Sequence, residues 1–124
     1  MNTPPRMTRA EIGALGEQLA VDHLISLGMT VLVRNWRCRW GELDIIATER
    51  GHSAVVFVEV KTRTTAEFGG IEEAVTPEKA RRLRRLASLW LAEQDARWHD
   101  IRIDVIGVRL GGRQSELVHL KGIG

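Results

Sequence analysis

The chain has 124 residues, 44% of them hydrophobic, which suits a single domain with one core. No apolar stretch approaches the ~20 residues of a membrane-spanning helix, and the polar, proline-containing residues 1–7 lack the apolar core of a signal peptide. One cysteine, Cys38, cannot form an internal disulfide and fits a reducing compartment. We therefore expect a cytoplasmic protein that crosses no membrane, with a disordered tail over residues 1–7 and one domain over residues 8–124.

Charge alone does not indicate a partner, because 18 Lys and Arg against 16 Asp and Glu leave a formal net charge of only +2. The basic residues are nevertheless clustered in two groups, namely Arg34, Arg37 and Arg39, and then Lys79, Arg81, Arg82, Arg84 and Arg85. Basic patches beside an acidic site suit a polyanionic substrate. From charge alone, ordinary solvated faces are the favoured explanation.

The predicted elements begin with a helix. Thr8 and Glu11 match a capping box, and Gly28 is a stop signal, so the helix should run from residue 8 to about residue 27. Three strands are predicted next, over residues 30–37, 42–48 and 53–62. Thr76-Pro77 opens a second helix that ends near residues 93–96. Two strands follow, over residues 101–110 and 116–121.

This order predicts the fold class. A short turn over residues 49–52 should join two antiparallel strands, whereas a helix between the third and fourth strands requires a parallel crossover. We therefore expect an α/β fold in which helices flank a mixed sheet.

Three ionisable residues interrupt strands that should be buried. Asp44 lies in the second predicted strand, and Glu59 and Lys61 lie in the third. Strand alternation places Glu59 and Lys61 on one face, about 7 Å apart, and places Asp44 on the face of Ile46. Asp44 comes near the other two if the hairpin turns both faces the same way, which depends on the register.

Such a cluster has a chemical use. Two carboxylates can hold Mg²⁺ or Mn²⁺, which lowers the pKa of a bound water, and a lysine can stabilise developing negative charge. A structural salt bridge would explain an isolated Glu59-x-Lys61 better. The additional acid on the preceding strand favours a functional site, because buried charges destabilise a fold unless they are paired or bind a cation.

Two further charged residues are ambiguous. Glu17 falls on the apolar face of the first helix, near Gly13 and Gly16, which should allow a close approach to the sheet. It is either a paired core residue or a functional one. Lys79, on the edge of the inward stripe of the second helix, either reaches an active-site phosphate or covers the rim of the core.

The remaining polar and aromatic residues carry weaker signals. Asp104 interrupts the fourth strand, where an arginine partner is a better expectation than a metal. The four histidines, His23, His52, His99 and His119, share no metal-like spacing. Core or rim packing is favoured over base stacking for the four tryptophans, Trp36, Trp40, Trp90 and Trp98.

Several motifs together resemble the YraN family, over nearly the whole chain after residue 7. They are Gly16-Glu17-x-x-Ala20, Arg34-Asn35, Gly41-Glu42-Leu43-Asp44-Ile45-Ile46-Ala47, Phe57-Val58-Glu59-Val60-Lys61-Thr62-Arg63, Phe68-Gly69, Glu72-Glu73-Ala74-Val75, Lys79 and Arg102-x-Asp104-Val105. YraN proteins are similar to archaeal Holliday-junction resolvases and to the PD-(D/E)xK, restriction-endonuclease-like proteins. The resemblance implies the αβββαβ core of that superfamily. Leu43 stands where the motif name has proline.

The resemblance also implies a chemistry, a metal-dependent nuclease that hydrolyses DNA, at branched or damaged structures. Asp44 and Glu59 would bind Mg²⁺ or Mn²⁺, Glu17 would be an additional acid at the metal, and Lys61 would complete the catalytic set. Nucleic acid would be contacted by basic residues, namely Arg34, Arg37, Arg39, Arg63, Lys79 and Arg82. Resolvases act as dimers, which implies a homodimer. The alternative is a non-catalytic nucleic-acid-binding protein with the same fold.

Overall fold

The computed structural model describes residues 7–49, 51, 53–64, 75–111 and 114–123, and it contains the predicted elements in the predicted order. They are α1 (Arg9–Ser26), β1 (Thr30–Cys38), β2 (Gly41–Thr48), β3 (Ala54–Arg63), α2 (Pro77–Ala92), β4 (Asp100–Arg109) and β5 (Glu116–Leu120). The motif residues 68–74 and most of the predicted tail lie outside the described residues.

The helix ends form where the capping residues predict them. The Thr8 hydroxyl accepts a hydrogen bond from the Glu11 backbone at 3.1 Å, and the Glu11 carboxylate accepts one from the Thr8 backbone at 2.8 Å. Thr76 caps α2 in the same manner by accepting from the Lys79 backbone at 3.1 Å. Both helices thus begin at residues that supply the missing acceptors of the first turn. In the described part of the chain, no helix is long and apolar enough to cross a membrane.

The five strands form one mixed sheet in the order β1-β2-β3-β4-β5. The β3–β4 pair is parallel and is connected through α2, while the other three pairs are antiparallel. The predicted antiparallel hairpin and parallel crossover are therefore confirmed, and so is the α/β class.

One helix covers each face of the sheet. On the first face, Ala20 and Leu24 of α1 pack against Val56 and Val58 of β3. On the second face, α2 buries its predicted stripe against β2, β3 and β4, and Phe57 meets Trp90 edge to face with ring centroids 5.7 Å apart. Alternation along β3 divides its side chains between these two clusters.

Alternation fails along β2, which corrects the predicted face of Asp44. It would place Asp44 with Ile46 against α2. Instead Leu43, three residues before Ile46, packs with Ile46 in the α2 cluster, and Asp44 lines a cavity beside α1. The cause is a local break in both strands, since Asn35, at the matching point of β1, has a left-handed φ of 53°.

Candidate functional site

Asp44 lies at the point where β2 separates from β3. The backbone register between these strands runs from Thr48–Val55 to Ile45–Val58. At the next step, the Val60 N–H donates to Asp44 Oδ2 at 2.8 Å. The carboxylate thus satisfies a backbone donor at the split and is held beside the opening between the strands.

The surroundings of Asp44 disfavour its negative charge. Burial raises the pKa of this carboxyl to about 6; the Val60 N–H opposes the shift, and the charges of Glu59, Glu17 and Glu42 add to it. A half-buried acid surrounded by three others is a site at which a bound cation would be strongly favoured.

The half-buried carboxylate of Glu59 is paired with two cationic side chains. Its ion pairs come from α2, with Lys79 Nζ 3.1 Å from Oε2 and Arg82 Nη2 3.5 Å from Oε1. Oε2 is buried, and the Lys79 ammonium contacts it as an ion pair whose angles fall outside hydrogen-bond geometry.

Lys61 lies beside a second ammonium group. The contact with Lys79 lowers the pKa of Lys61 most, burial and the Lys79 charge lower it further, and the Glu59 carboxylate opposes these effects. Lys61 also lines the cavity that contains Asp44. Two lysines therefore stand near the Glu59 carboxylate at the end of β3, and Lys79 forms the ion pair with it.

Glu17 combines the two interpretations that its sequence position left open. Glu17 Oε1 accepts from Arg34 Nε at 3.2 Å and from Asn35 Nδ2 at 3.0 Å, which makes it a paired residue. Its charge also contributes to the raised pKa of Asp44. Glu17 is 14% exposed and lines the Asp44 cavity, so it belongs to the site and is held in it by β1.

The close approach of α1 to the sheet depends on one of the two glycines. A Cβ on Gly16 would stand 1.9 Å from Thr62 Oγ1, whereas a Cβ on Gly13 would meet nothing within 4 Å. Gly13 therefore contributes no packing of this kind, although it lines the cavity. Gly16 sets the distance between Glu17 and the end of β3.

These residues surround an open cavity of about 600 Å³ between α1 and the split strands. Glu17, Asn35, Asp44 and Lys61 line it, while Glu59 does not. Asp44 therefore stands between two environments, with Glu17 on the α1 side and Glu59 on the α2 side.

The donor set fits a cation held by two carboxylates better than one held by three. Within the described ranges, no group of three or more His, Cys, Asp and Glu side chains converges closely enough to hold a metal ion. Asp44 and Glu59 would nevertheless suit Mg²⁺, which binds one or two carboxylates and retains several waters, with the ion taking the place of Lys79 at Glu59 Oε2. Glu17, committed to Arg34 and Asn35, is less suited to be a direct ligand.

The six basic residues predicted to contact nucleic acid make different contacts in the structure. Lys79 and Arg82 meet Glu59, and Arg63 lines the cavity and donates to the Thr62 carbonyl at 3.2 Å. The other three lie on β1 and the following turn, where Arg34 pairs with Glu17, Arg37 with Glu42 at 3.2 Å, and Arg39 stacks on Trp40.

A separate polar network involves histidines whose sequence spacing gave no signal. The expected arginine partner of Asp104 is Arg102, with contacts of 2.8 and 3.0 Å. His119 Nε2 is also 2.8 Å from Asp104 Oδ2, and its Nδ1 is 3.0 Å from His23 Nε2. The network links α1, β4 and β5 through pairs that are distant in sequence, so only the folded topology reveals it.

Glu42 and Asn35 are the site residues that sequence reasoning missed. Glu42 lines the cavity and its charge raises the pKa of Asp44, while Asn35 orients Glu17. Both stand within motifs quoted above for the resemblance. Their chemical part becomes visible only with the break in strand alternation.

Comparison with known proteins places the entire site within a recognised family. Residues 16–108 match the model of the "Uncharacterised protein family UPF0102". A UPF0102 protein of Mycolicibacterium gilvum is 66% identical over 118 residues, covering 94% of this chain and 96% of its own length. The UPF0102 protein of Mycobacterium avium is 65% identical over all of this chain and 98% of its own length. That of Mycobacterium tuberculosis is 60% identical, with both chains fully covered.

Proposed function

Because this chain belongs to the UPF0102 family and carries an acid–lysine site within the matched region, we propose that it is a metal-dependent nuclease. Its reaction is the hydrolysis of DNA phosphodiester bonds, at branched or damaged structures. The observation that carries the proposal is the pair of half-buried carboxylates, Asp44, whose pKa is raised to about 6, and Glu59, whose negative charge contributes to that rise.

The fold supports this proposal. The described elements follow the order αβββαβ, with a mixed sheet, one helix on each face and an additional edge strand. That order is compatible with a restriction-endonuclease-like core. In such a core the acids and the lysine would stand on the second and third strands, which is where Asp44, Glu59 and Lys61 lie.

In this proposal Asp44 and Glu59 hold Mg²⁺ or Mn²⁺ together with water molecules. The metal supplies a Lewis acid and a bound water of lowered pKa. Glu17 assists from the α1 side by adding negative charge near Asp44 without leaving its partners on β1. The negative charges of Asp44, Glu59 and Glu17 together favour the binding of a cation where β2 separates from β3.

Lys61 is the proposed donor to the reacting groups. Its ammonium is crowded by Lys79, which lowers its pKa and makes it a better proton donor. From the cavity wall it can orient the attacking water or stabilise charge on a phosphoryl oxygen. Lys79, Arg82 and Arg63 supply positive charge around it for the DNA backbone.

A second candidate is a nucleic-acid-binding protein without catalysis. One observation favours it, since Glu59 is engaged by two cationic side chains and no three-acid group forms among the described residues. In that case the same basic residues would bind DNA, and added metal would change nothing.

The test is cleavage of end-labelled linear, single-stranded, flap and four-way-junction DNA with Mg²⁺ or Mn²⁺. We expect cleavage of at least one substrate, abolished by Asp44→Ala and slowed about 10²–10³-fold by Lys61→Ala. Glu116→Gln, an exposed acid on β5, serves as the matched control with unchanged activity. Cleavage that survives both site changes would contradict the proposal, and DNA binding without any cleavage would support the second candidate.

A further inference from the structure

Trp40, in the turn between β1 and β2, is an exposed aromatic residue whose ring is contacted by two arginines. Its side chain is 52% exposed, and Cζ of Arg39 and Cζ of Arg85 each lie 4.8 Å from the ring centroid. The expectation of core or rim packing is confirmed for Trp90, which is buried, and for Trp36 and Trp98, which pack against the α2 cluster, whereas about half of the Trp40 side chain is exposed. An exposed aromatic ring in cation–π contact with arginines resembles the stacking platforms that bind unpaired bases.

Packing against α2 fixes the position of this turn. Gly41, the residue after Trp40, has a φ of 146°, and a Cβ there would come within 3.3 Å of Leu86. Leu86 is buried in the α2 cluster. The backbone of the turn is therefore packed against α2, and a loose turn does not explain why Trp40 is exposed.

The same helix connects Trp40 to the proposed metal site. Lys79 and Arg82 meet Glu59, and Arg85 meets Trp40. Residues three apart share a helix face, so these three form one cationic line. At 1.5 Å per residue the line extends about 9 Å, which matches about two to three stacked nucleotides of one DNA strand at 3.4 Å each.

We propose that an unpaired base of the DNA substrate, about two to three nucleotides from the cleaved bond, replaces a guanidinium group on the ring of Trp40 and stacks there, while Arg39 and Arg85 bind the adjoining phosphates. This inference rests on the proposed nuclease function and specifies its substrate as DNA with a single-stranded segment. Charge complementarity supports it, because Arg39, Arg85 and Arg81 are all exposed cations around the ring or on the same helix. If the contact between Trp40 and Arg85 only held the turn against α2, the protein would show no preference for unpaired bases.

The first measurement is anisotropy of a labelled single strand and of a blunt duplex of the same sequence, in EDTA so that nothing is cleaved. Stacking is worth about 1–3 kcal/mol per base, so Trp40→Ala should weaken single-strand binding roughly 5–150-fold and duplex binding far less. Trp40→Phe should retain most of the affinity. Arg85→Gln should weaken binding more than Arg109→Gln, which removes an exposed charge from β4.

A spectroscopic measurement separates stacking from a structural effect. 2-Aminopurine placed at successive positions of the single strand should be quenched at one position by the wild type and not by Trp40→Ala. Equal loss of affinity for single strand and duplex, or unchanged quenching in Trp40→Ala, would overturn the inference. A thermal melt of Trp40→Ala that matches the wild type excludes unfolding as the cause.

The two proposals fail in different ways. If the wild type cleaves DNA and Trp40→Ala binds unpaired strands as well as the wild type, the stacking inference is wrong and the nuclease proposal stands. If stacking by Trp40 is observed but no DNA is cleaved with any metal, the nuclease proposal is wrong and Trp40 remains a binding site for unpaired bases.

Discussion

Replacing Asp44 by asparagine should stabilise the protein at neutral and alkaline pH. Asparagine retains an oxygen that can accept the Val60 N–H, so the backbone interaction at the strand split is preserved. It removes a negative charge that burial and Glu59, Glu17 and Glu42 disfavour. The change therefore measures how much stability the protein loses by keeping a negative charge at this site.

The size of the effect follows from the pKa of Asp44. A rise from 3.8 to about 6 corresponds to at most about 3 kcal/mol, because each pKa unit is about 1.36 kcal/mol. The native state binds this proton more tightly than the unfolded state does. The wild type therefore loses stability as pH rises from about 4 to about 6, and the loss is complete above that range.

The assay is urea denaturation of the wild type and Asp44→Asn between about pH 4 and about pH 8. The two free energies of unfolding should agree near the acid limit, and the variant should be more stable by up to about 3 kcal/mol at the alkaline limit. Saturating Mg²⁺ should then stabilise the wild type and not the variant.

Glu116→Gln makes the same chemical change at an exposed ion pair and should leave stability nearly constant at every pH. The reasoning would be refuted if Asp44→Asn were less stable than the wild type at alkaline pH. It would also be refuted if the difference between the two proteins did not vary with pH.

Two further predictions concern packing and the second polar network. Gly16→Ala brings a Cβ within 1.9 Å of Thr62 Oγ1 and should lower the free energy of unfolding by about 1–3 kcal/mol. Gly13→Ala, in open space, should raise it by about 0.5–1 kcal/mol. Equal effects of the two changes in denaturant melts would contradict the close approach of α1 to the sheet. Asp104→Asn removes the charge of a fully buried carboxylate that pairs with an arginine and a histidine, and it should destabilise the fold by about 3–5 kcal/mol. Glu116→Gln, at an exposed ion pair, should destabilise it by less than about 1 kcal/mol. Similar denaturation midpoints for the two variants would contradict a buried network.

Features that depend on neighbouring residues were predictable from the sequence. The capping box at Thr8 and the Thr76-Pro77 start give both helices correctly, because capping involves hydrogen bonds within a single turn. Alternation along β3 correctly separates Val58 from Phe57. The mixed sheet follows from the order of elements, since a helical crossover connects parallel strands.

The precise form of the site was less predictable, because it depends on a break in regular structure. Alternation assigns Asp44 to the wrong face, since it carries no information about the left-handed Asn35 on the neighbouring strand. The pairing of Glu17 with Arg34 joins residues 17 positions apart, and its geometry requires the packed helix. The contact of Trp40 with Arg85 joins residues 45 positions apart, and it too depends on where α2 lies in the folded chain.

The central claim is that Asp44, Glu59 and Lys61 form a metal-dependent hydrolytic site. Its most direct test is a time course of end-labelled four-way-junction DNA, with enzyme in excess, in Mn²⁺ or EDTA. The account predicts product with Mn²⁺ for the wild type and none in EDTA. It also predicts no product above background for Asp44→Asn, although that variant is the more stable protein. Equal product formation by the wild type and Asp44→Asn, or by the wild type with and without metal, would contradict it.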